Sequence, residues 1–212
     1  MARGETQPLQ VLPRGRHAAP REVVAESQRE RLLVAIAEAV AEKGYANAAV
    51  ADVIERAGVS RRTFYEHFAN KEECFLAAYD AGVSRLLDAI AAAEEAAGRD
   101  IVARARAGTE TYLGLLADNP AFARTFLIEV LGAGPAALAR RAAVHERFAE
   151  RLREDFTAAA GDVPAPPAHV LRGCVGAIHE LVTARLLEAG AGALPALLGP
   201  ILEIELRLLG PR

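Results

Sequence analysis

The chain of 212 residues has few cysteines and no long apolar run, the features on which disulfide-rich, zinc-stabilised and membrane-spanning proteins depend. Its two cysteines, Cys74 and Cys174, are too few for a disulfide framework or a cysteine-based zinc site. The longest apolar stretch, residues 194–202, is short and holds two prolines, so it cannot span a bilayer. We therefore expect both cysteines to be small buried side chains, and we expect no metal, no cofactor and no membrane partner.

Charge of one sign is not in large excess either. The chain has 25 Lys+Arg and 28 Asp+Glu, for a formal net charge of −3, so the whole protein is no polycation. The N-terminal end differs, because its first 21 residues hold four arginines and one glutamate. This local positive charge allows that end to lie beside a polyanion without repulsion. Residues 1–20 are polar and lack the apolar region of a signal peptide, which predicts a cytoplasmic protein.

Helix-forming segments fill most of the chain, and β-branched residues nowhere alternate with polar ones as a strand requires. Glycine, proline and asparagine separate predicted helices at about 21–43, 48–57, 60–68, 71–97, 100–118, 120–131, 135–160, 167–189 and 194–209. The predicted fold is all-α, with a small three-helix unit at 20–70 and a larger helical bundle at 71–212. Residues 1–19 are predicted to be a flexible basic arm, either a surface tail or a segment that contacts the DNA minor groove.

The stretch VSRRTFYEHFANKEECF, residues 59–75, places cationic, aromatic and hydroxyl groups close together. It follows Gly58, whose freedom to adopt a left-handed conformation suits a tight turn between two short helices. Asn47 is the predicted cap of the first of these helices and Ser60 of the second. The pattern predicts a helix-turn-helix, the unit whose second helix enters the major groove of DNA.

The side chains of that second helix divide into an apolar set and a polar set. Val59, Phe64 and Phe68 are expected to face the core. Arg61 and Arg62, in the first turn, can bridge the O6 and N7 atoms of guanine or clamp a phosphate.

Four further polar groups extend this candidate surface. Thr63 offers a hydroxyl and a methyl group, and Tyr65 and His67 carry hydrogen-bond donors that can meet phosphates. Lys71 opens the following helix, capped by Asn70, where an ammonium and free backbone N–H groups can hold one phosphate together.

The run GVSRRTFYEHFANKEECFLAAY, residues 58–79, resembles the signature of the TetR family of bacterial transcriptional regulators. That signature reads Gly-Val-Ser, two variable positions, Thr, an aromatic residue or Leu, Tyr, two positions, Phe, two positions, Lys-Glu. The resemblance covers about residues 28–80. It implies a ligand-responsive regulator that is not an enzyme, usually a repressor, which binds a pseudo-palindromic DNA operator as a dimer and is released by a small effector.

The resemblance also implies roles for single residues. Residues 60–63 would read or touch bases, and Tyr65, His67 and Lys71 would grip phosphates. Where the family often has a threonine just before the second helix, this chain has alanines at 48 and 49. Asn47 is the nearby polar side chain that can supply the phosphate contact in place of that threonine.

In the resembled family the C-terminal domain dimerises and binds the effector, and the sequence permits both. The last two long helices carry apolar residues over more than one face, with Gly173, Gly176 and Ala177 allowing close helix approach. They can pair with their copies in a homodimer or face the core of one monomer. The candidate lining of an apolar effector pocket, with simple core packing as the alternative, is Tyr112, Phe122, Phe126, His145, Phe148 and His179.

Two other classes of protein have weaker support. The run HELVT, residues 179–183, resembles the start of a helical zinc-protease motif, but Thr183 stands where the second histidine must be. The glycine pairs at 132–134 and 190–192 lack the preceding strand and third glycine of a nucleotide-binding turn. A helical adaptor that ignores DNA would explain the bundle but not residues 59–75.

Overall fold

The computed structural model describes residues 20–160 and 163–209, and within these ranges it contains helices joined by turns and no strand. The α-helices are α1 Arg21–Lys43, α2 Val50–Ala57, α3 Arg61–His67, α4 Lys71–Ala96, α5 Ile101–Asp118, α6 Pro120–Leu127, α7 Pro135–Ala160, α8 Ala168–Ala189 and α9 Leu198–Leu209. The all-α prediction is confirmed for this part of the chain. The arm at 1–19 lies outside the described residues.

Two predicted helices are each divided in the structure. The segment predicted at 120–131 is α6 followed by a 3₁₀ segment, Glu129–Gly132, and the segment predicted at 194–209 is a 3₁₀ segment, Ala191–Leu197, followed by α9. Pro195 lies inside the second 3₁₀ segment, where a proline removes a backbone donor and prevents a continuous α-helix. Pro200 falls in the first turn of α9, where an N–H would lack an intrahelical partner.

The turn between α2 and α3 has the predicted geometry. Gly58 adopts φ 61° and ψ 40°, the left-handed conformation that side chains with a Cβ avoid. The hydroxyl of Ser60 accepts the N–H of Thr63 at 3.0 Å, so the predicted cap of α3 is confirmed. These two local signals position α3 across the end of α2.

The predicted cap of α2 is wrong. Ala49 occupies the N-cap position, and its backbone N–H donates to the carboxylate of Asp52 at 2.9 Å. Asn47 instead donates from Nδ2 to the carbonyl of Lys43 at 3.1 Å and closes the end of α1. The acid three residues into α2 therefore satisfies a backbone donor at this helix start, as acids at that position often do.

The long helix α4 joins the N-terminal unit to the bundle. Its first turns pack against α1 and the connection after it, where Phe75 makes an edge contact with Tyr45 at 4.8 Å between ring centres. Farther along, Val83, Leu86 and Ile90 are buried in the bundle. One hydrophobic cluster runs from α1 to α9, so the predicted boundary at residue 70 does not divide the described residues into two separate cores.

A second hydrophobic cluster lies among α7, α8 and α9 and contains Phe156, Leu171 and Cys174. Both cysteines are free and fully buried, as predicted. Burial raises the pKa of each thiol to about 12, so neither is a ready thiolate. Across the described ranges no helix is both long and apolar enough to pass through a bilayer.

Candidate DNA-binding surface and effector pocket

Helix α3 presents a polar face above a buried apolar one. Phe64 is fully buried and Phe68 nearly so, while Arg61, Arg62 and Tyr65 are exposed. The aromatic anchors therefore hold α3 on α1 and α2 and leave its charged side toward solvent. This orientation agrees with the sequence-based expectation.

The two arginines of α3 differ in their partners. Arg62 donates from Nε to Glu66 at 2.9 Å, one turn further along the helix. Arg61 forms no ion pair with any described residue, and its guanidinium carbon lies 5.8 Å from the centre of the Tyr65 ring. Arg61 is thus the cation of α3 that can engage a polyanion without first leaving a carboxylate. An exposed pair such as Arg62–Glu66 costs about 0–1 kcal/mol to break.

The hydroxyls of Ser60 and Thr63 lie 2.8 Å apart at the start of α3. Ser60 is exposed and Thr63 is partly buried. Both candidate DNA-binding residues lie at the start of α3, beside the exposed Arg61 and Arg62. His67 is partly buried, with its ring centre 6.3 Å from that of Phe68. Asn47 is exposed on the connection that precedes α2. The structure therefore gathers most of the predicted DNA-binding residues on the helix-turn-helix.

Lys71 has contacts that the sequence did not suggest. Its ammonium donates to the backbone carbonyls of Tyr45 and Ala48, at 2.7 and 2.8 Å, and lies 4.3 Å from the centre of the Tyr45 ring. An ammonium has three donors, and these two bonds use two of them. Lys71 therefore clamps the connection between α1 and α2 to the start of α4. The phosphate contact proposed for it stays a prediction.

The bundle also reaches the N-terminal unit through side chains. A carboxylate oxygen of Glu129 accepts the backbone N–H of Tyr45 at 2.9 Å and its other oxygen accepts from Arg124 at 3.2 Å. The hydroxyl of Thr125 donates to the carbonyl of Ala37 in α1 at 3.2 Å. These contacts join α6 and the 3₁₀ segment to α1 and to the connection that Lys71 clamps.

A cavity that opens to solvent lies within the bundle between α4, α5, α6, α7, α8 and α9. The predicted pocket residues that line it are Tyr112, Phe126, His145, Phe148 and His179. Phe122 does not line this cavity. It borders a groove between α1, α4, α5 and α6 and stacks on Phe126, with 5.5 Å between ring centres.

The two histidines of the wall contact each other, with 4.8 Å between ring centres. Burial lowers the pKa of both, and the charge of Arg141 acts in the same direction. The pKa of His179 falls to about 4, so this ring is neutral at neutral pH. The Nε2 atom of His145 is buried and has no hydrogen-bond partner among the described residues.

The cavity wall also holds polar residues that sequence reasoning missed: Glu94, Thr109, Arg151, Asp155 and Glu205. A signal for the last was present, because Glu205 occurs at helical spacing within the apolar stripe of Ile201, Leu202 and Leu209. An acid on an apolar helix face points to a buried polar site. The acid Glu94 gave a weaker signal, since a second acid follows it directly in an alanine-rich run.

Gly108 allows α5 to approach α4 at this cavity. A Cβ atom built on Gly108 would lie 2.6 Å from a carboxylate oxygen of Glu94, closer than side-chain contacts permit. Burial raises the pKa of Glu94 to about 7, and the neighbouring Asp155 adds to the effect. The cavity thus combines aromatic walls with carboxyl groups that lack full solvation.

The N-terminal unit matches a known family. Residues 32–78 match the family model described as bacterial regulatory proteins, tetR family. The chain is 34% identical over 88 residues to the HTH-type transcriptional activator FasR of Mycolicibacterium smegmatis, and 33% identical over 113 residues to the HTH-type transcriptional regulator EthR of the same organism. These matches cover 42% and 53% of this chain but 38% and 51% of the relatives, so they span about half of those proteins or less.

Solved structures share the fold over most of the chain. The fatty acid degradation regulator FadR from Bacillus halodurans has a TM-score of 0.72 at 21% identity, and FadR from Bacillus subtilis in complex with stearoyl-CoA has 0.73 at 18% identity. Each similarity covers 86% of this chain and 99% of the other. Residues 32–78 thus carry the helix-turn-helix of the bacterial tetR family of regulatory proteins, and the chain shares its fold with these solved regulators.

Proposed function

We propose that the chain is a ligand-responsive transcriptional regulator that works in the cytoplasm, binds a pseudo-palindromic operator as a homodimer and is released from it by a small, largely apolar effector. The observation that carries the proposal is α3, which is anchored by Phe64 and Phe68 and exposes Arg61, Arg62 and Tyr65. An exposed cationic and aromatic helix face after a tight glycine turn is suited to a major groove. No step of this function requires catalysis.

The bundle supplies the ligand-binding half of the proposal. Its cavity is lined by aromatic residues with a few polar groups, the composition of small-molecule sites. The structure of B. subtilis FadR with stearoyl-CoA supports ligand binding by this fold. A ligand can shift DNA binding only by as much as its affinity differs between the DNA-bound and released states. In a dimer, two α3 helices about 34–36 Å apart would meet successive major grooves.

Selection of bound sequences from random duplexes tests the DNA-binding role directly. We expect a two-fold symmetric site, and we expect Arg61→Ala to weaken binding to it by about 1–3 kcal/mol if Arg61 contacts a base. If Arg61 contacts only a phosphate, its loss should lower the salt dependence of binding by about one counterion. Arg106→Ala is the matched control, because Arg106 is also exposed but lies on α5 in a pair with Glu110.

The proposal fails if the wild-type protein, at low ionic strength, retains no duplex sequence over scrambled competitor. Recovery of single, unrepeated half-sites would contradict the dimer alone. The sign of regulation is a separate outcome, since one relative is named an activator. A reporter placed behind the selected site would show whether loss of the protein raises expression, as proposed for a repressor, or lowers it.

A further inference from the structure

Glu205 is a buried carboxyl on the cavity wall that has no cationic partner in the described ranges. Its residue is 8% exposed, and the hydroxyl of Thr109 donates to Oε2 at 3.0 Å. No arginine, lysine or histidine of the described residues lies within ion-pair distance of it, although buried carboxylates are usually paired. Glu205 is therefore the carboxyl of the wall whose cationic partner the described residues do not supply.

The other two carboxyls of the wall have arginines beside them. Arg104 donates from Nε to Asp155 at 2.5 Å, and it also donates to backbone carbonyls. Arg151 places Nε 2.8 Å from Glu94, although not in hydrogen-bonding geometry. Two arginines thus offset two of three acids, and the excess carboxyl is that of Glu205.

The surroundings offer Glu205 no other positive charge. The charged and titratable groups of the wall around it are Glu94 from α4, Arg104 and Tyr112 from α5, His145, Arg151 and Asp155 from α7, and Cys174 and His179 from α8. Among these, the arginines are engaged as described, and burial lowers the pKa of both histidines and keeps the thiol protonated. Burial, reinforced by Glu94 and Asp155, raises the pKa of Glu205 to about 8. In the empty cavity at neutral pH this group is consequently a neutral acid.

Much of the remaining wall is apolar. Phe148 makes an edge contact with Tyr112, at 6.0 Å between ring centres, and a tilted contact with Phe126, at 6.3 Å. Ile178 and Ile201 extend this surface. Such a wall suits a hydrocarbon or aromatic body. A carboxylate-bearing ligand, by contrast, would bring a like charge toward Glu205, which disfavours it.

We propose that the cavity binds an amphipathic amine, whose ammonium pairs with Glu205 and whose apolar part lies against Tyr112, Phe126 and Phe148. The inference rests on the proposed function, because it names the chemical class of the effector for the same cavity. On binding, the ammonium replaces the proton of Glu205, which leaves to solvent. The product is a buried, hydrogen-bonded charge pair in place of a neutral acid.

Three probes of equal chain length test this: octylamine, octanol and octanoate, titrated calorimetrically into the full chain at pH 8.5. We expect octylamine to bind about tenfold or more tighter than octanol, the gain typical of a charged hydrogen bond, and octanoate to bind most weakly. Glu205→Gln should remove the preference for the amine. Glu203→Gln is the matched control, because Glu203 is an exposed acid on the same helix, paired with Arg207, and should leave the preference unchanged.

The pH dependence of octylamine binding is a second test, because a glutamate with only a structural role would not make this affinity depend on pH. Below pH 8, octylamine must displace a proton, so its affinity should rise about tenfold per pH unit from pH 6 and level off above pH 8. The amine stays charged throughout, since aliphatic amines titrate at about pH 10.4. Proton release, measured in buffers of different ionisation heat, should approach one per ligand at pH 6.5 and vanish in Glu205→Gln.

The proposal is overturned if octanol or octanoate binds as well as octylamine, if the octylamine affinity does not change with pH, or if none of the probes binds. Should Glu205→Gln fail to fold, the wild-type comparison of three probes and its pH profile still decide. Operator binding by the same preparation reports separately on the proposed function. If the protein binds its operator but prefers octanoate, the proposed regulatory function stands and only the assignment of an amine ligand is wrong.

Discussion

Lys71 illustrates how a cation beside a proposed DNA surface can serve the fold. Its ammonium donates to the backbone carbonyls of Tyr45 and Ala48, which lie on the connection between α1 and α2. These carbonyls precede the helix-turn-helix, so the lysine fixes where that unit starts. The TetR-like pattern suggests a phosphate contact for the same residue, and the two roles predict different measurements.

We expect Lys71→Met to lower the free energy of unfolding by about 1–3 kcal/mol, because two partly buried carbonyls lose their donor. Denaturant unfolding measures this. Lys43→Met is the control, since the exposed Lys43–Asp52 pair should contribute about 0–1 kcal/mol. If Lys71 instead grips a phosphate, stability would stay unchanged and the salt dependence of operator binding would fall by about 0.9 for each phosphate that the variant no longer neutralises.

At the scale of elements, the contact between α6 and α1 links the bundle cavity to the N-terminal unit. Phe126 lines the cavity, and its neighbour Thr125 donates to the carbonyl of Ala37 in α1. Glu129, in the following 3₁₀ segment, accepts the N–H of Tyr45. One short stretch of chain therefore contacts both the cavity and the connection that Lys71 clamps.

The substitution Glu129→Ala tests this contact between the bundle and the N-terminal unit. Without the carboxylate, the N–H of Tyr45 loses its acceptor, so we expect its amide hydrogen to exchange faster and the unfolding free energy to fall by about 1–3 kcal/mol. Site-resolved hydrogen exchange measures the first effect. Glu110→Ala, an exposed acid on α5, should alter neither. Unchanged protection at Tyr45 in Glu129→Ala would show that this bond does not hold the contact.

These elements also show what the sequence can predict. Gly58 and Ser60 act through residues within a few positions, so the turn and the cap of α3 followed from local chemistry. The bond from Tyr45 to Glu129 joins residues 84 positions apart, and no local pattern encodes such a pair. Likewise, the aromatic cavity residues were predicted from their residue type alone. The lack of a cationic partner for Glu205 depends on where the surrounding helices place their charges.

At the scale of the whole molecule, α8 carries a surface with small and apolar side chains that suits pairing with a second copy. Gly173 and Gly176 are exposed, and a Cβ built on either would meet no atom within 4 Å. On the same helix Leu187 is 63% exposed, which is unusual for a large apolar side chain. The core-facing residues of α8, such as Cys174 and Val182, are buried. One side of α8 therefore packs in the core, and the opposite side is the surface that we propose pairs with a second copy.

We expect Gly176→Arg to convert a dimer into a monomer, because a two-fold interface would bring two copies of the long, charged side chain against each other. The fold itself should persist, as the site is open and arginine favours helix over glycine. Sedimentation at several concentrations measures the mass, and operator binding should fall with it. Gly114→Arg is the control, a glycine of α5 with equally open surroundings. A Gly176→Arg protein that remains dimeric and binds its operator normally would place the pairing surface away from this side of α8.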